Sequence, residues 1–463
     1  MIKIFHHYIS TTFLILFAIE YGIFFAAMYF GSEFRFLYSE SWYSEGYIVL
    51  SSWVFATTLS FCLVSIGLYR RNLGQNEYEL LSRTTVGFSC SIFIIVCIYY
   101  FFPQFLIARS VLAYALIFAF LGMITCRFIF KQLVGQNALN KKILVIGCGN
   151  NANKILHSNN GYIHKGFEIK GCCATENETI AIDQHHIVLN PKQNILDYIK
   201  KNNIEEIVVA LDDRRTKMPL DHLLDCKMEG IKIVDLLSFY EREKAYIDLD
   251  NLHPSWMLFS DGFAKSGIRT TVKRFIDLVT SLTLLLFTFP VMLLTAFAIF
   301  LESGFRAPIF YRQVRVGENN QNFNVLKFRS MRTDAEKQGI QCAKINDNRI
   351  TRVGGFIRKY RIDELPQILN VLKGEMSFVG PRPERPAFVD GFNKSIPFYK
   401  ERHRIKPGIT GWAQLCYPYG ENEYDAIQKL QYDLYYVKNY SLFLDFTIIL
   451  HTVEVVLWGK GAR

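Results

Sequence analysis

Four long apolar runs fill most of the first part of the chain, and they leave few options for how it folds. They lie near Thr11–Phe30, Tyr47–Tyr69, Thr85–Phe102 and Val111–Phe130. Each is close to the roughly 20 residues a helix needs to cross a bilayer core, where only a helix or a closed barrel satisfies every backbone polar group. Lys3, the Arg70/Arg71/Arg83 loop and Arg127/Lys131/Lys141/Lys142 all fall on one side of these runs. The opposite loops carry Arg35 among Glu33, Glu40 and Glu45, and a lone Arg109. The positive-inside rule therefore puts both ends of the bundle in the cytoplasm. Glu20 lies inside the first run. It is expected to face a helix neighbour or the interface rather than to act as a functional intramembrane acid.

At 463 residues the chain is too long for one ordinary core. Its net charge of +10 would suit nucleic acid, anionic lipid or a phosphorylated substrate. With membrane runs present, headgroups and phosphates are expected partners and nucleic acid is not. The ten cysteines are scattered without a CxxC pair. That is no disulfide framework, and it suits soluble parts in a reducing cytoplasm. The first run lacks a small-residue cleavage site and is followed by further spans, so no cleavable signal peptide is expected.

The stretch "KKILVIGCGNNANKIL" (Lys141–Leu156) reads as a strand, a Gly147-x-Gly149-x-x-Ala152 turn and a helix. Further strands are expected at Ile204–Ala210 and Ile231–Asp235, and their alternation with polar helices implies a small parallel α/β domain. The turn could present a helix N-terminus to a pyrophosphate. No acidic residue convincingly ends a second strand, however, and a degenerate Rossmann-like spacer is the preferred reading.

A fifth apolar run, Phe275–Leu301, is basic at both ends: Lys265, Arg269, Lys273 and Arg274 before it, Arg306, Arg312 and Arg315 after. A single crossing would strand one cluster on the wrong side. Pro290 sits mid-run and removes a backbone hydrogen bond. A helix that enters one leaflet, bends at Pro290 and returns accounts for both facts; the alternative is a fifth span with an external catalytic region. The last run, Tyr440–Trp458, contains Asp445, His451 and Glu454, so it is expected to lie at the interface or pack on a domain.

"RIDELPQILNVLKGEMSFVGPRPERP" (Arg361–Pro386) places the acid pair Asp363–Glu364 among arginines. Leu365, Ile368, Leu369 and Leu372 follow a helical stripe with Gly374 as its stop. Pro366 is tolerated only in a first turn, so the helix is expected to start at Asp363, with its positive end helping to hold that carboxylate ionised. Taken alone, such an aspartate is more often a cap than a nucleophile. The surroundings shift the balance. Arg358, Lys359 and Arg361 precede the pair, and prolines hold Arg382 in an extended segment. Lys327, Arg329 and Arg332 lie upstream, and Arg402, Arg404 and Lys406 downstream. Cations around a carboxylate beside a membrane suit a phosphorylated substrate with a lipid partner. Asp can attack phosphorus, and Mg2+ held by carboxylate and pyrophosphate would neutralise charge.

Five stretches in order carry a resemblance: QVRVG (Gln313–Gly317), KFRSM (Lys327–Met331), RxxxxDELPQ (Arg358–Gln367), NVLKGEMSFVGPRP (Asn370–Pro383) and KPGITGWAQ (Lys406–Gln414). The chain resembles the large monotopic phosphoglycosyl transferases, the bacterial polyprenyl-phosphate hexose-1-phosphate transferases, in a branch associated with exopolysaccharide export. The resemblance implies a membrane protein of α + α/β class. It would have a four-helix transmembrane bundle (1–135), a Rossmann-like cytoplasmic domain (136–255) and a mainly helical catalytic domain (256–463) whose re-entrant helix covers about 273–302. Localisation would be the bacterial inner membrane, with both soluble domains cytoplasmic. Asp363 would attack the β-phosphorus of a UDP-sugar, expel UMP and then pass the phosphosugar to polyprenyl phosphate. Glu364 would complete the dyad, with Mg2+ held by Asp363 and Glu364. Lys327, Arg329, Arg358, Arg382 and Lys406 would bind phosphate or substrate. Large relatives also point to a homodimer. Two positions depart from the family. Phe289-Pro290 replaces its Ser-Pro bend, with Thr288 one position earlier, and Asn320 stands where a glycine is common. Two rival readings remain: a membrane-anchored NAD-dependent nucleotide-sugar dehydratase, for which Tyr240 and Lys244 supply a Tyr-x-x-x-Lys pair, and a non-enzymatic scaffold of polysaccharide export. The sugar itself is not legible.

Overall fold

The computed structural model describes residues 2–4, 7–9, 11–36, 44–69, 77–134, 141–157, 167–175, 178–189, 195–213, 218–263, 267–304, 307–335, 348–417 and 422–458. The chain forms two compact units, made chiefly of Tyr8–Lys244 and Ala245–Arg463. In the first unit, the four apolar runs become helices α1 (Thr11–Phe36), α2 (Glu45–Ser65), α3 (Glu77–Phe101) and α4 (Arg109–Val134). All four contribute to one core, through Phe24 and Met28, Phe55 and Leu59, Phe88 and Ile95, and Val111 and Met123 respectively. At Gly31 an added Cβ would lie 3.0 Å from the Ala115 backbone nitrogen, so α1 and α4 meet backbone to backbone. Glu20 is fully buried. Its carboxylate accepts from Arg127 Nε (2.6 Å) and Nη2 (3.0 Å) and from the Tyr69 hydroxyl (2.5 Å), so it faces its helix neighbours as expected. Glu40, Arg70, Arg71, Lys265 and Arg306, used in the topology reading, lie outside the described residues.

After α4 come β1 (Lys141–Ile146), α5 (Asn150–Leu156), β2 (Phe167–Cys173), β3 (Ile187–Leu189), α6 (Ile195–Asn202), β4 (Glu206–Val209), α7 (Leu220–Met228), β5 (Lys232–Asp235) and α8 (Leu236–Lys244). The strands form one parallel sheet of order β3-β2-β1-β4-β5. The four amides of the glycine turn, the donors a pyrophosphate would need, are taken by the chain itself. Cys148 and Gly149 donate to Glu178 (2.9 and 3.3 Å), and Asn150 and Asn151 donate to Asp212 (2.7 and 2.8 Å). A Cβ on Gly149 would sit 2.3 Å from Asp212 Oδ2, which explains that glycine. Tyr240 is buried in α8, with the Lys244 ammonium 4.6 Å from the centre of its ring.

The second unit contains α9 (Pro254–Phe259), α10 (Gly267–Glu302), the hairpin β6 (Phe310–Val316) and β7 (Asn322–Phe328), and α11 (Arg352–Lys359). Then follow α12 (Gln367–Lys373), β8 (Ser377–Val379), α13 (Pro386–Ser395), β9 (Gly408–Thr410), α14 (Trp412–Cys416), α15 (Glu423–Lys438) and α16 (Leu442–Trp458). The α10 helix continues through Pro290, and Thr288 Oγ1 donates to the Leu284 carbonyl at 2.7 Å, so a hydroxyl near the proline keeps a backbone contact. In the β6–β7 turn, Asn319 and Asn320 have φ of 54° and 59°. Asparagine tolerates that left-handed region better than most residues, and so fills the place of a glycine. On α16, Asp445 is satisfied within the unit: it pairs with Lys273 (2.7 Å) and accepts from the Tyr436 hydroxyl (2.6 Å). Leu444 and Ile448 are buried beside it, so this helix packs on its domain.

Candidate active site

The acid pair sits where three segments converge. Thr351 caps α11 by accepting from the Gly354 amide at 2.9 Å. Gly354 has no room for a side chain, since a Cβ would lie 2.0 Å from the Ser330 carbonyl oxygen. At the far end of α11, Arg361 adopts φ of 55°. That conformation is strained for arginine, and it turns the chain into a single 3-10 turn, Ile362–Glu364. The sequence reading started the helix at Asp363; instead α12 begins at Gln367, after Pro366. Proline has no N–H to return to Ile362, so this turn closes through the shorter bonds Glu364 N to Arg361 O and Leu365 N to Ile362 O, both 3.2 Å.

The two acids are treated differently. Glu364 Oε1 accepts from Lys327 Nζ on β7 (3.0 Å) and from Arg382 Nη2 (2.8 Å), with Arg361 Nη1 4.0 Å from Oε2. Burial works against its charge, but Arg382 and Lys327 hold it well below the usual carboxylate range. Asp363 is half-buried and has no hydrogen-bond partner among the described residues. Burial, then the charge of Glu364, pushes it up to about 6, with Lys327, Arg358 and Arg382 opposing. The expected ionising influence of a helix end is overruled here, because two adjacent carboxylates resist sharing a buried site.

Arg382 is held from behind. Arg402 Nη2 donates to the Arg382 carbonyl (2.9 Å) and Arg315 Nη1 to that of Pro383 (3.1 Å). Two buried donors also lack partners among the described residues, Arg358 Nη1 and Arg329 Nε. A carboxylate without a hydrogen-bond partner among the described residues, a second fixed by cations, and the orphaned Arg358 donor form a place where a phosphorylated molecule can be neutralised.

Residues 268–459 match the bacterial sugar transferase family, and residues 64–233 a CoA-binding domain family. The chain is similar to the UDP-glucose:undecaprenyl-phosphate glucose-1-phosphate transferase of Xanthomonas campestris pv. campestris, with 31% identity over 90% of each chain. The chain belongs to the bacterial sugar transferase family. It is also 42% identical to the UDP-N-acetylgalactosamine-undecaprenyl-phosphate N-acetylgalactosaminephosphotransferase of Aeromonas hydrophila, over 52% of this chain and 56% of that protein. To the UDP-glucose:undecaprenyl-phosphate glucose-1-phosphate transferase of Escherichia coli (strain K12) it is 34% identical over 58% of each.

In this sugar transferase the fold gathers Lys327, Arg358, Arg361 and Arg382 around the acids. It does not bring Lys406 there, since that residue lines a separate cavity. Arg402, read from sequence as one of the basic cluster, is buried against Asp433. Asn370 was missed. Its side chain accepts from Leu326 N (3.0 Å) and donates to Asn324 O (2.7 Å), tying α12 to β7. Consequently the buried face of α12 is Gln367, Ile368, Asn370 and Val371 rather than the leucine stripe. Only an alignment with β7 could have revealed that, because asparagine inside a helix otherwise reads as polar surface. Gly374 ends α12 with φ of 88°, as its position suggested.

Proposed function

We propose that the chain transfers a sugar 1-phosphate from a UDP-sugar to undecaprenyl phosphate at the cytoplasmic face of the bacterial inner membrane, initiating exopolysaccharide or surface-glycan synthesis. One observation carries this reading: Asp363 has no hydrogen-bond partner among the described residues, while Lys327 and Arg382 beside it donate to Glu364. An Asp363 carboxylate oxygen attacks the β-phosphorus; the bond from that phosphorus to the UMP oxygen breaks, and UMP leaves. A phosphate oxygen of the lipid then attacks the same phosphorus and the bond to Asp363 breaks, restoring the carboxylate. Arg382, Lys327 and Arg358 bind and orient the phosphates. Two adjacent carboxylates are hard oxygen donors of the kind Mg2+ takes alongside substrate phosphates. Asp363 and Glu364 would therefore hold that ion, which would neutralise pyrophosphate charge when bound. Incubating the protein with UDP-sugar and no lipid should release UMP and add a phosphosugar mass to the Asp363 peptide. UDP as the product would reject the mechanism.

Asp363 must be ionised to attack, so its upward shift gives a sign. Above pH about 6 the carboxylate is charged and UMP release is at a plateau. Below that the rate should fall roughly tenfold per pH unit. An Asp363 carboxyl that titrates at about 4, the ordinary carboxylate range, in the metal-free protein would contradict the assignment.

Re-entry of α10 is part of the same proposal. Near its start, Arg274 donates to the carbonyls of Val371 (2.5 Å) and Leu372 (2.7 Å). Near its end, Ile299 packs with Phe328 and Ile357, and Glu302 accepts from Val353 N at 3.1 Å. One folded unit grips both ends, which supports re-entry over a crossing, while Leu286 and Phe287 between them are 73% and 75% exposed. A cysteine at Phe287 should stay unlabelled by an impermeant maleimide added outside the cell and react only after permeabilisation. Labelling in intact cells would mean a true crossing.

A further inference from the structure

The cavity that holds Lys406 has a volume of about 80 Å3 and lies against the first turns of α10. Most of the charge around it is committed. Lys273 pairs with Asp445, and Asp277 accepts from Ser377 Oγ (3.1 Å) and Phe378 N (3.0 Å). Arg274 points its guanidinium at the last carbonyls of α12. Glu318 also lines the cavity. Lys406 is half-buried and has no hydrogen-bond or ion-pair partner among the described residues.

Lys406 and Arg274 meet across Gly374. Lys406 Nζ and Arg274 Nη2 each lie 3.6 Å from the point where a Cβ on Gly374 would sit, so Gly374 puts no side chain between the two cations. An anion between them touches an ammonium and a guanidinium together, the arrangement that favours phosphate oxygens. Directly after Arg274, α10 turns apolar and outward, with Phe275 67%, Val279 47% and Leu282 57% exposed. The cationic corner thus stands where a membrane helix changes from polar to apolar, the level of lipid headgroups. It is not the reacting position. Arg274 holds the last turn of α12 and Asp363 precedes its first, with about 10 Å of helix between them.

We infer that the Arg274–Lys406 cavity is a second phosphate site, which takes the phosphate headgroup of a membrane lipid apart from the phosphorus that reacts at Asp363. The proposed transferase reading supplies one source of that phosphate, the polyprenyl phosphate waiting to react; an anionic phospholipid is the other. Both present a phosphate at the end of an apolar chain, and the test separates them.

The full-length protein, with Lys406→Gln and Lys406→Arg variants, is placed in nanodiscs of phosphatidylcholine alone or mixed with phosphatidylglycerol. If the acceptor lipid uses the site, Lys406→Gln raises KM for undecaprenyl phosphate roughly tenfold in both discs, as expected for loss of one charge-assisted contact. KM for the UDP-sugar moves much less, and Lys406→Arg recovers most of the loss. If phospholipid uses it, phosphatidylglycerol raises the melting temperature of the wild type, and Lys406→Gln removes that gain. The inference is overturned if Lys406→Gln changes neither the lipid KM nor the phosphatidylglycerol-dependent melting. It is equally overturned if the change falls on the UDP-sugar KM alone. Wild-type UMP release without lipid tests the transferase reading separately, and the melting arm needs no turnover.

Discussion

Asp363→Asn should abolish UMP release from UDP-sugar while leaving the protein folded in the membrane fraction. The amide keeps the shape of the carboxylate but cannot attack phosphorus, and loss of a covalent nucleophile commonly costs about 10^4-fold or more in rate. The fold should tolerate the change. Asp363 makes no hydrogen bond among the described residues, so no partner is orphaned. Removing a half-buried charge that Glu364 opposes also relieves repulsion, so the melting temperature should hold or rise slightly. Glu364→Gln should behave differently, because Lys327 and Arg382 would lose the charge they are paired with. Steady-state UMP release, intact mass after UDP-sugar treatment, and thermal melting of both variants distinguish a nucleophile from a cap. Asp363→Asn turnover within about tenfold of wild type would remove Asp363 from the chemistry, since that is far less than a nucleophile contributes.

The broad architecture was legible because its signals are local. Apolar runs of span length, a proline inside one of them and strands alternating with helices all act over a few residues. The candidate site was legible in its residue types, since Asp363, Glu364, Lys327, Arg358 and Arg382 are drawn together. What stayed hidden depends on pairing across the chain. The acids that fill the glycine turn, Glu178 and Asp212, lie about 30 and 60 residues beyond it, and nothing in their own neighbourhoods announces the contact. The break between Glu364 and Gln367 arises from one missing N–H, and the upward shift of Asp363 from burial that periodicity does not encode. Arg402 and Lys406 look alike in "RHRIKPG", yet one is an internal brace and the other a half-buried cation in a cavity.

The brace makes the second large prediction: Arg402→Leu should destabilise the protein by about 3–5 kcal/mol at neutral pH, the usual cost of breaking a buried pair from one side. Arg402 and Asp433 are 5% and 2% exposed, joined by Nε (3.0 Å) and Nη2 (2.8 Å) to one carboxylate oxygen. Burial pushes Asp433 upward even with Arg402 beside it, so the carboxylate is costly to keep charged. Without the guanidinium that shift grows. A carboxyl whose folded pKa exceeds its unfolded value loses stability as pH rises between the two. The deficit of Arg402→Leu should therefore be full at neutral pH and shrink as pH falls towards the unfolded value near 4. Adding Asp433→Leu should recover much of the loss, since a pair replaced by apolar side chains leaves no charge stranded. Activity should not recover with it. The Arg382 carbonyl loses its donor in both variants, and the guanidinium that meets Glu364 at 2.8 Å is no longer fixed, so KM for the UDP-sugar should stay raised. Melting curves of full-length protein across pH, set beside KM for the single and double variants, separate these two roles. A double variant that regains wild-type KM along with its stability would show that Arg402 holds the fold and does not position Arg382.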